Sequence, residues 1–333
     1  MSSPTDSNIF RMQAIYLRKK KGITMSKIAF VFPGQGSQYV GMGKDFYENS
    51  EIAREIFDLA SEVTGLDVKK ICFEENEEIN ITEYTQIAML ATEVAILKCV
   101  EAEGIEAVVT GGLSLGEYGA LVASGAMSPK DAFKVVRKRG IYMQEAVPTG
   151  GAMSAVLALD EKTIEKICEE TEGIVSIANY NCPGQIVITG EAEAVAKAGE
   201  ALSAAGAKRV VPLKVSGPFH SKMLEGAGEK LDKVLADVEF NKIKVPYVAN
   251  LTADHVYNSG DIRPLLVKQV SSSVRWTQSV QKMIEEDGVD TFIEMGPGKT
   301  ISGFVKKIDR EKKTITIDKY EDFVKAMEEL KNA

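Results

Sequence analysis

The stretch Ala107-Val108-Val109-Thr110-Gly111-Gly112-Leu113-Ser114-Leu115-Gly116 leaves the chain little choice of local structure. Four residues suited to a buried strand run into glycines, and a helical pattern begins near Glu117. Gly-x-Ser-x-Gly between a strand and a helix forces a sharp turn that lifts the serine hydroxyl clear of the sheet, and the glycines let helix and strand approach closely. A strand that opens straight into a helix belongs to a parallel sheet with helices on its faces.

The surrounding pattern agrees. Ile28-Ala29-Phe30-Val31-Phe32 predicts a short buried strand that enters the turn-rich loop Pro33-Gly34-Gln35-Gly36-Ser37-Gln38. Helical spacing follows over 51–63 and 84–103, and Ser128-Pro129 opens a helix over 129–146 as cap and first-turn residue. From about 150 the rhythm changes. Met153–Leu159, Val175–Tyr180, Gln185–Thr189 and Lys208–Val215 read as strands, with helices at Glu161–Glu170 and Glu191–Ala205. That order, β-α-β-β-α-β, is the ferredoxin-like pattern. Strands near 245–250, 291–294 and 314–317 then resume the first rhythm. The expected fold is α/β: a large α/β-hydrolase-like domain with a parallel sheet, formed by 25–148 and 216–333, with a ferredoxin-like domain inserted at 149–215. A cleft between the two is the natural ligand site. Residues 1–24, which carry Arg18-Lys19-Lys20-Lys21 before Met25, lack the apolar stretch of a signal peptide. They read as a disordered extension, an upstream start or an expression remnant, with a transit peptide less well supported.

A net charge of −8 argues against nucleic acid as a partner, because phosphate binding needs a basic face. No apolar run approaches the ~20 residues that span a bilayer. Cys72, Cys99, Cys168 and Cys182 are scattered, with no C-x-x-C pair, which suits core residues in a reducing, cytoplasmic setting. His220 and His255 are the only histidines, which argues against a histidine-rich metal centre. No metal and no permanently bound cofactor are expected.

Ser114 is the candidate nucleophile, and a serine needs a base, most often histidine. His255 lies in a polar connection after a strand, where a solvated loop histidine is expected. His220 follows the last small-domain strand in Val215-Ser216-Gly217-Pro218-Phe219-His220-Ser221, where Gly-Pro stiffens the junction. Position favours His220. Two phosphate-loop readings fail: G-x-G-x-x-G from Gly34 would need glycine at Tyr39, and a Walker loop ending at Gly298-Lys299-Thr300 would need it at Ile293. The 33–38 loop is better placed to donate backbone N–H groups. An oxyanion hole takes one donor from the residue after the nucleophile, Leu115, and Gln35 is the candidate for the second. Read alone, Arg137-Lys138-Arg139 is a solvated basic helix face.

Phe32-Pro33-Gly34-Gln35-Gly36-Ser37-Gln38, Gly112-Leu113-Ser114-Leu115-Gly116-Glu117-Tyr118 and Ser216-Gly217-Pro218-Phe219-His220-Ser221 together resemble the malonyl-CoA:acyl-carrier-protein transacylase family. The resemblance runs in order over about 25–310 and extends to Arg137–Gln144, Asn179–Gln185, Val274-Arg275-Trp276 and Glu294–Gly298. It implies that malonyl-CoA is the substrate and that acyl carrier protein is the partner, with transfer through an acyl-serine at Ser114. It also implies that His220 is the base, that Gln35 and Leu115 supply the oxyanion N–H groups, and that Arg139 pairs with the malonyl carboxylate. The backbone carbonyl of Gln269 would orient His220. Phe219 beside the base fits a small, unbranched acyl group.

The sequence departs from the family at Leu113, where most members carry histidine, which raises the question of acyl-enzyme hydrolysis. Carrier docking would depend on a local basic patch, with Lys208-Arg209, Lys214, Lys222 and Lys306-Lys307 as candidates. A monomer is expected. A serine esterase and a docking protein without catalysis are the competing readings.

Overall fold

β1 (Ile28–Phe32) is a continuous apolar run because it lies inside a sheet covered on both faces. The computed structural model describes residues 26–215 and 217–332, so the expectations for 1–24 lie outside the described residues. β2 (Val109–Gly112) pairs parallel with β1, and it includes the two glycines that the sequence placed after the strand. Four strands then form a separate antiparallel sheet: β3 (Gly151–Leu157), β4 (Val175–Cys182), β5 (Gln185–Glu191) and β6 (Arg209–Pro212). β7 (Tyr247–Val248), β8 (His255–Val256), β9 (Thr291–Met295) and β10 (Lys313–Ile317) return to the first sheet. Its order is β10-β9-β1-β2-β7-β8, parallel throughout except for the β7–β8 pair.

Helix Thr82–Ala102 is buried on all sides, which explains its apolar character around the whole circumference. Helices Glu51–Thr64 and Pro129–Ala146 pack against it and put their polar faces outward. Both begin at serine caps: Ser50 accepts from the Ala53 N–H and Ser128 from the Asp131 N–H, with Pro129 in the first turn.

The second sheet has the order β4-β5-β3-β6, the ferredoxin-like arrangement. Helices Glu161–Glu170 and Ala192–Ala204 cover one face through Val156, Ile164, Ile188, Val195 and Leu202. The alternate residues Met153, Ala155 and Val187 face the other way and join the core of the large sheet. β4 is also tied across the junction, since Tyr180 N–H donates to Val274 C=O and Val274 N–H to Ala178 C=O, at 2.9 and 2.8 Å. Two strand expectations change. β6 ends at Pro212, one residue before Leu213, whose N–H makes the last bond to β3 at the Met153 C=O, 2.9 Å. Ala107 and Val108 precede β2 instead of forming it. No helix among the described residues is long and apolar enough to cross a membrane.

Candidate active site

The elbow obeys steric limits visible at two glycines. A Cβ on Gly112 would stand 1.9 Å from the Gly116 carbonyl oxygen, and one on Gly116 would stand 2.2 Å from that of Phe32. Only glycine lets helix Gly116–Ala123 start this close to β1 and β2. Ser114 itself takes a left-handed backbone conformation, φ 54°, a strain of about 1–3 kcal/mol that the surroundings must hold. Asn250, just beyond β7, does so: its Oδ1 accepts from Ser114 N–H and its Nδ2 donates to Gly112 C=O, both at 2.6 Å.

His220 also has positive φ, 62°, at the end of the Gly-Pro junction, and it is 4% exposed. Its Nε2 lies 2.7 Å from Ser114 Oγ. Nδ1 lies 2.9 Å from the Gln269 carbonyl oxygen and 3.1 Å from that of Ser272. Two carbonyls can only accept, so Nδ1 carries the proton and Nε2 presents its lone pair to the serine. Burial, and then the nearby Arg139 cation, push His220 down to about 4. The ring is therefore neutral at pH 7, the form a general base needs.

Arg139 is 1% exposed, so it is no part of a solvated basic face. Helix Pro129–Ala146 turns it inward, where its guanidinium lies 5.6 Å from the Tyr118 ring centre. Nη1 donates to Gln86 Oε1 at 2.8 Å, and Nη2 to Gln269 Oε1 at 3.0 Å and Ser114 Oγ at 3.3 Å. Nε has no partner among the described residues. A buried guanidinium with donors to spare beside a reactive serine suits a carboxylate on the acyl group.

The side chain of Gln35 donates to Thr82 Oγ1, and this anchors its loop. The backbone N–H groups of Gln35 and Leu115 donate to no acceptor among the described residues. Both residues line the same cavity of about 750 Å³ as Ser114, Arg139 and His220. Its walls come from the antiparallel sheet, with Met153, Asn181 and Val187, and from helices and loops of the large domain, with Met143, Phe219 and Phe304.

All six candidate site residues thus converge, and the sequence reading missed four more. Glu117 lies beneath the elbow and accepts from Gln269 Nε2 at 2.8 Å, and burial pushes it up to about 7. Asn250, Gln86 and the Ser272 carbonyl are the others. A glutamate in the apolar helix segment Gly-Glu-Tyr-Gly-Ala-Leu-Val-Ala is a signal for the first of them. Among the proposed basic residues, Lys214 lines the cavity, and Lys208, Arg209 and Lys222 are exposed. Lys306 is held by two backbone carbonyls, and Lys307 donates to Gln185. His255 is corrected: it forms part of β8, its side chain is 5% exposed, and its Nε2 lies 2.7 Å from Asp287 Oδ2, so it is not a solvated loop histidine. No cluster of metal-ligand residues occurs among the described residues.

An elbow serine, a neutral histidine held by carbonyls and two free N–H groups, set between a parallel sheet and an inserted antiparallel one, define a serine acyltransferase. The family described as "Acyl transferase domain" matches residues 29–317. The malonyl CoA-acyl carrier protein transacylase of Bacillus subtilis is 47% identical over 312 residues, covering 92% of this chain and 98% of that protein. The crystal structure of the Clostridium perfringens transacylase of the same name superposes with a TM-score of 0.89 at 43% identity, covering 92% of this chain and 98% of that one. A type II polyketide-synthase acyl-carrier protein in complex with its malonyl-transacylase gives 0.88 at 40% identity, covering 91% and 100%. The chain belongs to the malonyl-CoA:acyl-carrier-protein transacylase family.

Proposed function

We propose that this enzyme transfers a malonyl group from coenzyme A to the phosphopantetheine thiol of an acyl carrier protein, supplying chain extension in fatty-acid or polyketide synthesis. The observation that carries the reading is Arg139, a buried guanidinium whose Nη2 lies 3.3 Å from the Oγ of the nucleophile Ser114. In the first half-reaction Ser114 Oγ attacks the thioester carbonyl as its proton passes to His220 Nε2. The oxyanion is received by the N–H groups of Gln35 and Leu115, each worth about 3 kcal/mol in the transition state. Collapse breaks the C–S bond, and the departing thiolate takes the proton from His220. In the second half the carrier thiol gives its proton to His220 and attacks the malonyl-serine ester, and Ser114 recovers the proton as it leaves. The protein's own groups relay every proton and stabilise the charge in both steps, so the reading calls for no resident cofactor.

The reading divides the chain into a catalytic domain (25–148 and 216–333) and an inserted domain (149–215). It makes the enzyme a cytoplasmic monomer that binds neither nucleic acid nor membrane. The acidic net charge and four buried, unpaired cysteines support that setting. An esterase usually orients its histidine with a carboxylate. Here two backbone carbonyls occupy that place, which favours transfer. Brief incubation with malonyl-CoA followed by peptide mass spectrometry tests the reading. It expects a malonyl adduct on Ser114 that a carrier thiol discharges, and no adduct would overturn it.

A further inference from the structure

Gln269 does more than lend its carbonyl to His220. Its side-chain Nε2 sits between two acceptors, Ser114 C=O and Glu117 Oε2, each at 2.8 Å. An amide has distinct ends, so an Nε2 fixed between two oxygens leaves Oε1 to face Arg139 Nη2, where it accepts at 3.0 Å. Turned over, the amide would aim its N–H groups at a guanidinium, and its oxygen at the Ser114 carbonyl and the Glu117 oxygen. The contacts with the guanidinium and the Ser114 carbonyl are repulsive, and so is the one with Glu117 when it is ionised. Glu117 is fully enclosed beneath the elbow, and the same oxygen also accepts from Asn250 N–H at 3.3 Å. It touches neither the cavity nor any reacting atom.

We propose that Glu117 is a positioning residue for acyl-group selection: its acceptor oxygen fixes the orientation of the Gln269 amide, which in turn aims Arg139 at the carboxylate of the incoming acyl group. The inference rests on the malonyl-transfer reading and adds the device behind its selectivity. The device needs an acceptor at this position and not a charge. A glutamine can present its carbonyl oxygen where Glu117 Oε2 now lies, whereas a methionine of similar size offers no comparable acceptor.

The test compares Glu117→Gln with Glu117→Met in the full-length enzyme, with malonyl-CoA and acetyl-CoA as competing donors to a carrier thiol. Glu117→Met is expected to lower the malonyl-to-acetyl ratio of kcat/KM by about 10- to 100-fold, the range for losing a hydrogen bond to a charged group. Most of that change should appear as a higher KM for malonyl-CoA. Glu117→Gln should keep the ratio within about threefold of the wild type. A packing role alone would lower both donors together and leave the ratio unmoved, and that result would overturn the proposal. So would equal ratios in the two variants. If Glu117→Met does not fold, Gln269→Leu removes the same link from the other side, and the ratio must fall there as well. Should the wild-type enzyme show no malonyl preference, the malonyl-transfer reading itself fails. A wild-type preference that survives the loss of the acceptor refutes only the role of Glu117.

Discussion

The depressed pKa of His220 makes a quantitative claim about acid. A histidine near 6.5 would be about 3% neutral at pH 5, whereas one near 4 is about nine-tenths neutral. General-base action requires the neutral ring, so the sign is clear: lowering the folded value extends activity toward acid. Single-turnover acylation of Ser114 by acetyl-CoA isolates this step, because an acetyl group carries no carboxylate to titrate. Thiol release, read with a dipyridyl disulfide that reacts in acid, should keep about nine-tenths of its plateau rate at pH 5 and fall by half only near pH 4. The contrast with an unperturbed histidine is about 30-fold at pH 5. Arg139→Ala removes the second cause of the depression, so its acid limb should move upward while burial keeps it below 6.5. A wild-type limb between 6 and 7 would refute the reasoning, because it would mean that water reaches the ring and that burial is not what sets its proton affinity.

Arg139→Ala should also lower malonyl kcat/KM by about 100-fold or more and shift preference toward uncharged acyl groups, as competition between donors would reveal. Unchanged malonyl selectivity would remove Arg139 from its role. His220→Gln should flatten acid sensitivity: an unfolded histidine takes up a proton near 6.5 and the folded one only near 4, so the wild type loses about 1.6 kcal/mol between pH 6.5 and 5 that the variant keeps. Urea midpoints at the two pH values measure the difference. Gly112→Ala must displace the Gly116 carbonyl from 1.9 Å, and it should cost at least about 3 kcal/mol in chemical denaturation or abolish folding. Leu113→His would place a polar ring at the cavity wall beside the nucleophile, and it should raise the fraction of malonyl-enzyme lost to water, read as malonate release without a carrier.

Most of the fold was legible because its determinants are local. The helix at 129–146 announced itself through Ser128-Pro129, and the β-α-β-β-α-β order through alternating patterns. Ser114, with the glycines at 112 and 116, was equally plain, since sterics around one turn dictate those residues. Asn250 and Glu117 were not, because each acts through partners more than 130 residues away. An asparagine after a strand has an ordinary local explanation, and a glutamate in an apolar helix segment signals burial without naming its partner. His255 misled for the same reason: Asp287, its partner, is distant in sequence and brings the ring out of solvent. Arg139 read as a surface charge from its neighbours Arg137 and Lys138, and only the helix's orientation against Gln86 turns it inward.

The chain order of the site has a consequence for how such enzymes diversify. Ser114 and Arg139 precede the antiparallel sheet, His220 and Gln269 follow it, and none of the groups assigned to bond making or proton transfer lies within 151–212. That segment supplies wall residues such as Met153, Asn181 and Val187. It walls the cavity between two halves of the reaction centre, and its inner face is joined to the core of the large sheet and to Val274. Substitution along its cavity-facing strands therefore offers a way to change which thiols are admitted while the reacting groups keep their places.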